Sequence, residues 1–318
     1  MAENNFRSNR DLTPVKLVVF PGAFNWPVWV AEERGLFASN GISVDIIGIP
    51  GSVAQWTELS EGSADVAITL MDNVVAYREG QGEAPVTVPD AIAVMALDAR
   101  LMPALMVRPD VTSYAALRGQ TLSVDAVATG LALILFALLE HGGLDNNDYK
   151  VVRTGGVLQR YAGLKRHEFA GALFNTPFSS ELEELGFRRL DSAESVMSRY
   201  QGHVVAVRKS WANTNHAALV GFLRALCDAV EWLYQDNNRA AAFDIFKKFM
   251  PVAGETAARV AYSVLFDPEK GFSRMGTVDR EGIAAVLALR ARFGTPKKPL
   301  GSPDVYFDPH YLKEALKA

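Results

Sequence analysis

Ile92-Ala93-Val94-Met95-Ala96-Leu97-Asp98-Ala99-Arg100-Leu101-Met102-Pro103-Ala104-Leu105-Met106-Val107 decides how this chain is divided. Two apolar runs, 92–97 and 104–107, read as buried strands, and the polar kink Asp98-Ala99-Arg100 separates them. A tether between independent domains is rich in glycine, proline and polar residues. This stretch stays apolar and strand-like as far as Leu117. It is therefore read as strands passing from one lobe into another.

Outward from it, the same alternation occurs twice. Upstream, strands are predicted over 15–20, 42–49 and 66–69. Each leads into a helix: one opened by Pro27, one leaving the Pro50-Gly51-Ser52 turn and running through Glu61, and one over 71–79. Downstream the pattern restarts, with strands over 121–124, 149–153 and 170–174 and helices over 129–141, 156–166 and 177–185. A strand at 204–207 passes back. Beyond it the periodicity is helical, over 216–234, 239–249, 256–265, 279–293 and from 311 to the end. Such alternation with short connections predicts an α/β fold whose mostly parallel sheets are flanked by helices. The expected division is a discontinuous first lobe, 13–106 with 205–318, an inserted second lobe, 107–204, and a polar N-terminal extension, 1–12. Two crossings make a hinge, and a ligand belongs in the cleft at the carboxyl ends of the strands.

Composition narrows the function. The 318 residues are 49% hydrophobic and 21% charged with a net charge of −4, which argues against a nucleic-acid partner. No apolar run approaches the roughly 18 residues a spanning helix needs. The first twelve residues lack the apolar core of a secretory leader. A periplasmic address is expected if Met1 follows a removed leader, and a cytoplasmic one if Met1 is the native start. The single cysteine, Cys227, excludes an intramolecular disulfide and a multi-cysteine metal site, and its apolar helical setting reads as packing. A monomer is expected.

Three blocks carry a family resemblance. They are Trp29-Val30-Ala31-Glu32-Glu33-Arg34-Gly35-Leu36-Phe37 closed by Gly41-Ile42-Ser43-Val44, then Glu61-Gly62-Ser63-Ala64-Asp65-Val66-Ala67, then Leu117-Arg118-Gly119-Gln120-Thr121-Leu122-Ser123-Val124. In this order they resemble the periplasmic binding proteins of the aliphatic-sulfonate, taurine and thiamine-pyrimidine-precursor group, the solute receptors of ABC importers. The likeness runs over roughly residues 15 to 250. It implies a type II two-lobed fold, a small-molecule ligand and an ABC permease as partner.

Four loops that follow strands are the candidate ligand contacts. In the first, Phe24, Asn25 and Trp26 offer flat apolar walls and an amide, or else pack the core and cap a helix. In the second, Asp72 and Asn73 exceed what one helix cap needs. In the third, Asp125 precedes Thr129 and Gly130 at the start of a long helix, where free N–H groups can hold an oxyanion. The resemblance implies the same role for this position. In the fourth, Asn175 and Thr176 precede Phe178, which either stacks on an aromatic ligand or packs the core. Arg100, in the kink, is read as a partner for an acid or as a hinge ion pair to Asp98 or Asp125.

Signs of catalysis are few. The five histidines are dispersed without His-x-x-x-His spacing, and neither a Gly-x-Ser-x-Gly elbow nor a phosphate-binding glycine loop is found. His203 adjoins the return strand and is read as hinge packing, or else as facing the cleft. The expected function is capture of a small anionic or aromatic solute by hinge closure, with no catalytic residue, metal or cofactor. The alternative is a cytoplasmic enzyme on the same scaffold, of decarboxylase, desulfinase or pyrimidine-synthesis type.

Overall fold

The computed structural model describes residues 12–98, 102–251, 253–267 and 271–317. The chain begins β1 (Thr13–Val19), α1 (Trp26–Glu33), α2 (Leu36–Ser39), β2 (Ile42–Gly48), α3 (Ser52–Glu61), β3 (Val66–Leu70), α4 (Met71–Arg78) and β4 (Ala91–Ala96). It continues β5 (Ala104–Val107), β6 (Thr121–Val124), α5 (Gly130–His141), β7 (Lys150–Arg153), α6 (Val157–Lys165), β8 (Gly171–Phe174), α7 (Phe178–Glu184) and β9 (Arg188–Ser192). The return strand β10 (His203–Arg208) leads into α8 (Lys209–Thr214), α9 (His216–Leu233), α10 (Arg239–Phe249), α11 (Glu255–Leu265), α12 (Arg280–Phe293) and α13 (His310–Ala315).

These strands form two five-stranded sheets, ordered β2-β1-β3-β10-β4 and β7-β6-β8-β5-β9. In each, one strand runs against the rest: β10 is antiparallel to β3 and β4, and β5 to β8 and β9. Every residue of β3, β4, β5 and β8 is buried, which is why they read as continuous apolar runs rather than alternating ones. The molecule is a two-lobed α/β fold of two mixed sheets flanked by helices.

Two features differ from the sequence reading. β5 pairs inside the second sheet, so the crossing precedes Ala104 and does not follow residue 106. β9 has no apolar run to announce it: Arg188-Arg189-Leu190-Asp191-Ser192 is a polar edge strand paired only with β5.

The C-terminal helices close the first sheet. Trp26 is fully buried, donates from Nε1 to the Ala242 carbonyl at 3.1 Å, and packs among Phe243, Phe246, Tyr262 and Phe266 at centroid distances of 4.5–6.0 Å. α9 lays Phe222 on Phe37 and buries Cys227, whose thiol burial pushes up to about 11. That is a packing thiol.

One buried charge pair fastens α12. Arg290 donates to Asp72 Oδ1 and Oδ2 at 2.7 and 2.5 Å, and both side chains are almost wholly excluded from solvent. Its remaining donors reach the Gln81 and Ala128 carbonyls at 3.2 and 2.7 Å, so the guanidinium also ties α12 to the loop before α5. Burial, with Asp72 nearby, pushes the Tyr200 phenol well above the usual tyrosine range. Removing one member of such a pair strands the other. Arg290→Ala is expected to cost about 3–5 kcal/mol in urea unfolding, and Asp72→Leu/Arg290→Met distinctly less. An unchanged unfolding midpoint for Arg290→Ala would show that the pair does not hold α12.

Candidate functional site

The carboxyl ends of β1, β3, β6 and β8 face one another across a cleft, as the parallel strands of both sheets require. Between them lies a cavity that opens to solvent at its mouth. Its first wall is the turn after β1, with Phe20, Gly22 and Phe24. A Cβ on Gly22 would stand 2.3 Å from the Phe24 ring, so glycine there makes the room Phe24 occupies. Ser52 at the head of α3 and Asn73 on α4 complete the first lobe's side. The second lobe supplies Asp125, Thr129, Arg160, Asn175, Thr176 and Phe178.

Arg160 gives the cavity its cation. The residue is 4% exposed, its Nη1 donates to the Gly155 carbonyl at 2.8 Å, and Asp125 Oδ1 is 3.9 Å away. Burial pulls its pKa below the usual arginine value, and only Asp125 opposes that shift. A guanidinium remains charged through any such shift. With one loose carboxylate contact, it can take a further anionic partner. The sequence reading missed it. The available signal was Val157 three residues earlier on the same helix face, since both side chains reach the cavity.

At the other end the cavity meets the crossing segments. His203, the first residue of β10, stacks on Phe24 with centroids 3.7 Å apart and planes 15° from parallel. Its Nδ1 lies 2.5 Å from Asp98 Oδ2, which also accepts from the His203 backbone N–H at 2.9 Å. Asp98 follows β4, so this pair joins the outgoing segment to the returning one. A second chamber opens beyond, sharing Phe24, Phe174, Asn175, Thr176 and His203 with the first.

The structure gathers Phe24, Asn73, Asp125, Thr129, Asn175, Thr176 and Phe178 around the cavity. It places four other candidates elsewhere. Asn25 is buried with Nδ2 on the Phe20 carbonyl at 2.7 Å, Trp26 lies in the aromatic core, and Asp72 is spent on Arg290. Gly130 lies behind the wall, where a Cβ would meet Tyr200 Oη at 2.5 Å and Asp72 Cγ at 2.6 Å. Arg100 lies outside the described residues. Thr129 does not cap α5 with its side chain: its hydroxyl sits 2.7 Å from Asp125 Oδ1 and 2.9 Å from the Ala126 carbonyl.

Contacts span the cleft on one rim. Ser52 Oγ is 3.4 Å from Asp125 Oδ2, and Glu83 takes the Ala128 N–H at 3.2 Å and Arg153 Nη1 at 2.7 Å. On the other side, Glu181 of α7 accepts from the Gly254 N–H at 3.1 Å. The two lobes are closed on each other.

Residues 25–240 match the family described as NMT1/THI5 like. No curated protein matches the chain. Among solved structures, the ligand-binding component of an ABC-type import system from Staphylococcus aureus, with zinc bound, has a TM-score of 0.74 at 14% identity, covering 96% of this chain and 100% of that one. The periplasmic nitrate-binding protein NrtA of Synechocystis PCC 6803 has a TM-score of 0.75 at 13% identity, covering 96% and 89%. The alkanesulfonate-binding protein SsuA of Xanthomonas axonopodis pv. citri, bound to MOPS, has a TM-score of 0.72 at 13% identity, covering 96% and 98%. At these identities the likeness establishes the fold and leaves the ligand open. Among the described residues, no helix is long and apolar enough to cross a membrane.

The closed contact can be broken at one atom. A Cβ on Gly156 would stand 1.9 Å from the Pro50 carbonyl oxygen across the cleft. Gly156→Ala is therefore expected to hold the lobes apart and raise the radius of gyration in small-angle scattering. A scattering curve identical to the parent's would show that this approach does not limit closure.

Proposed function

Because the chain belongs to the NMT1/THI5-like family, we propose that it is the solute-binding receptor of an ABC-type importer, closing around a small organic anion. The observation that carries the reading is a cavity lined by strand-end loops of both lobes, with the buried Arg160 guanidinium at one end. Phe20, Phe24, Phe174 and Phe178 suit an aromatic or alkyl body, Asn73 and Asn175 add amides, and Arg160 receives the carboxylate or sulfonate. A permease is then the partner, and a periplasmic address follows from that role.

The division into lobes is part of this proposal. We place the hinge in the two connections between the sheets, β4 to β5 and β9 to β10, so that 104–192 moves against the remainder. Asp98 and His203 strap the two crossings together beneath the ligand. A ligand resting on the Phe24–His203 stack then touches both lobes and the strap at once, and favours the closed form by binding it better.

A second reading has one observation behind it. The Asp98–His203 pair orients a buried imidazole through Nδ1 and leaves Nε2 on a ring that lines both chambers, an arrangement suited to moving a proton. Thermal-shift screening of aromatic carboxylates and aliphatic sulfonates, followed by mass spectrometry of the released compound, separates the two. A receptor returns its ligand unchanged, and its melting temperature rises with ligand concentration. Multiple-turnover conversion abolished by His203→Ala would establish the enzyme instead. Within the receptor reading, Arg160→Met is expected to weaken an anionic hit by about 2 kcal/mol or more, some thirtyfold. Equal affinity in calorimetry would remove Arg160 from the site.

A further inference from the structure

We propose that His216, His310 and Glu314 form a binding site for a divalent transition-metal ion of the zinc class, outside the cleft. Their donor atoms all lie within 4.8 Å of one another. His216 opens α9, while His310 and Glu314 stand four residues apart on α13, the spacing that puts two side chains on one helix face. None of the three lines either chamber of the cleft.

The bland alternative is a partly exposed ion pair, since His216 Nε2 is 2.8 Å from Glu314 Oε2. An ion pair has no need of His310. Its ring centroid lies 5.9 Å from that of His216, and both rings flank Tyr311, at 5.7 and 5.2 Å. Tyr311 is buried and donates to Asn213 Oδ1 at 3.0 Å, so it forms a fixed floor beneath the two imidazoles. Asp308 accepts from the His310 N–H at 2.9 Å, fixing the start of α13. Leu312 and Ala315 are buried, and Arg224 of α9 donates to the Ala315 carbonyl at 3.2 Å. The backbone is thus set, and only side-chain rotation is required.

That rotation is small. Zinc bonds to nitrogen and oxygen are about 2.0–2.2 Å, so two ligands of one tetrahedral ion stand about 3.3 Å apart. His216 and Glu314 are already inside that distance, and the partly exposed side chains are free to open it. Two imidazoles and one carboxylate suit zinc, nickel or cobalt, whereas magnesium and calcium take all-oxygen sets. Water would complete the shell. An occupied site cross-links the final helix to α9.

Zinc alone is the probe, titrated calorimetrically into tag-free, metal-stripped full-length protein. One ion per chain is expected, confirmed by native mass spectrometry, and excess magnesium should not displace it. His310→Ala and Glu314→Gln should each weaken binding at least tenfold, while His141→Ala should not change it. Cobalt should give visible absorption bands that His216→Ala alters. Melting curves establish that each variant is folded, and His310→Gln replaces any that is not. Absence of stoichiometric uptake, or uptake that survives His216→Ala/His310→Ala, would overturn the site.

Discussion

The cleft follows from where the chain is allowed to cross. In each sheet the parallel strands deliver their carboxyl ends to one edge, and the chain leaves the first sheet from that edge after β4. The next strand must therefore start at the cleft and run away from it. β5 does so, with Ala104 beside Phe174 at the end of β8, and β10 does the same, with His203 beside Leu70 and Val204 beside Ala96. The one reversed strand of each sheet is the strand by which the chain enters it from the other sheet. Both reversed strands begin at the cleft edge, where His203 lines the cavity and Asp98 beside it lines the second chamber. The crossings between the sheets and the cleft are consequently built from the same residues.

This explains what could be read along the sequence. Apolar runs bounded by turns mark β3, β4, β5, β8 and β10 because those strands are buried on both faces. Loops after strands mark the cavity because the topology sends them there, which is why Phe24, Asn73, Thr129 and Asn175 line it. What escaped depends on pairing between distant segments. Asp72 looks like a cleft acid until Arg290, 218 residues later, claims both its oxygens. Trp26 looks like a loop aromatic until α10 and α11 fold over it. β9 is polar because it is an edge, and an edge strand carries no apolar period to read.

The polar groups of the cleft bear on what occupies it. Buried polar atoms normally find partners, because leaving one unmet costs about 1–3 kcal/mol. Among the described residues, Thr176 Oγ1 and Asp98 Oδ1 are buried and accept no protein hydrogen bond, and both residues line the second chamber. Arg160 has one carbonyl and a carboxylate at 3.9 Å. Aromatic rings separate these groups, so the cleft combines apolar walls with a few under-used polar positions. That is the pattern of a site shaped for a guest with a polar end and an apolar body.

Closure itself rests on modest protein contacts. The bridges across the rim from Ser52, Glu83 and Glu181 are single hydrogen bonds to carboxylates and one half-exposed ion pair, the hydrogen bonds worth about 1.5–3 kcal/mol each and the ion pair about 1 kcal/mol or less. Moving a two-state hinge from mostly open to mostly closed takes about 5.5 kcal/mol. Arg290 differs in kind: buried, paired, and bonded to the Ala128 carbonyl, it is a solvent-excluded polar tie between α12 and the loop before α5. It therefore suits a pivot that persists while the rim opens. In the receptor proposed above, the groups placed to favour closure through a bound ligand are Arg160, Asn73, Asn175 and the Phe24–His203 stack.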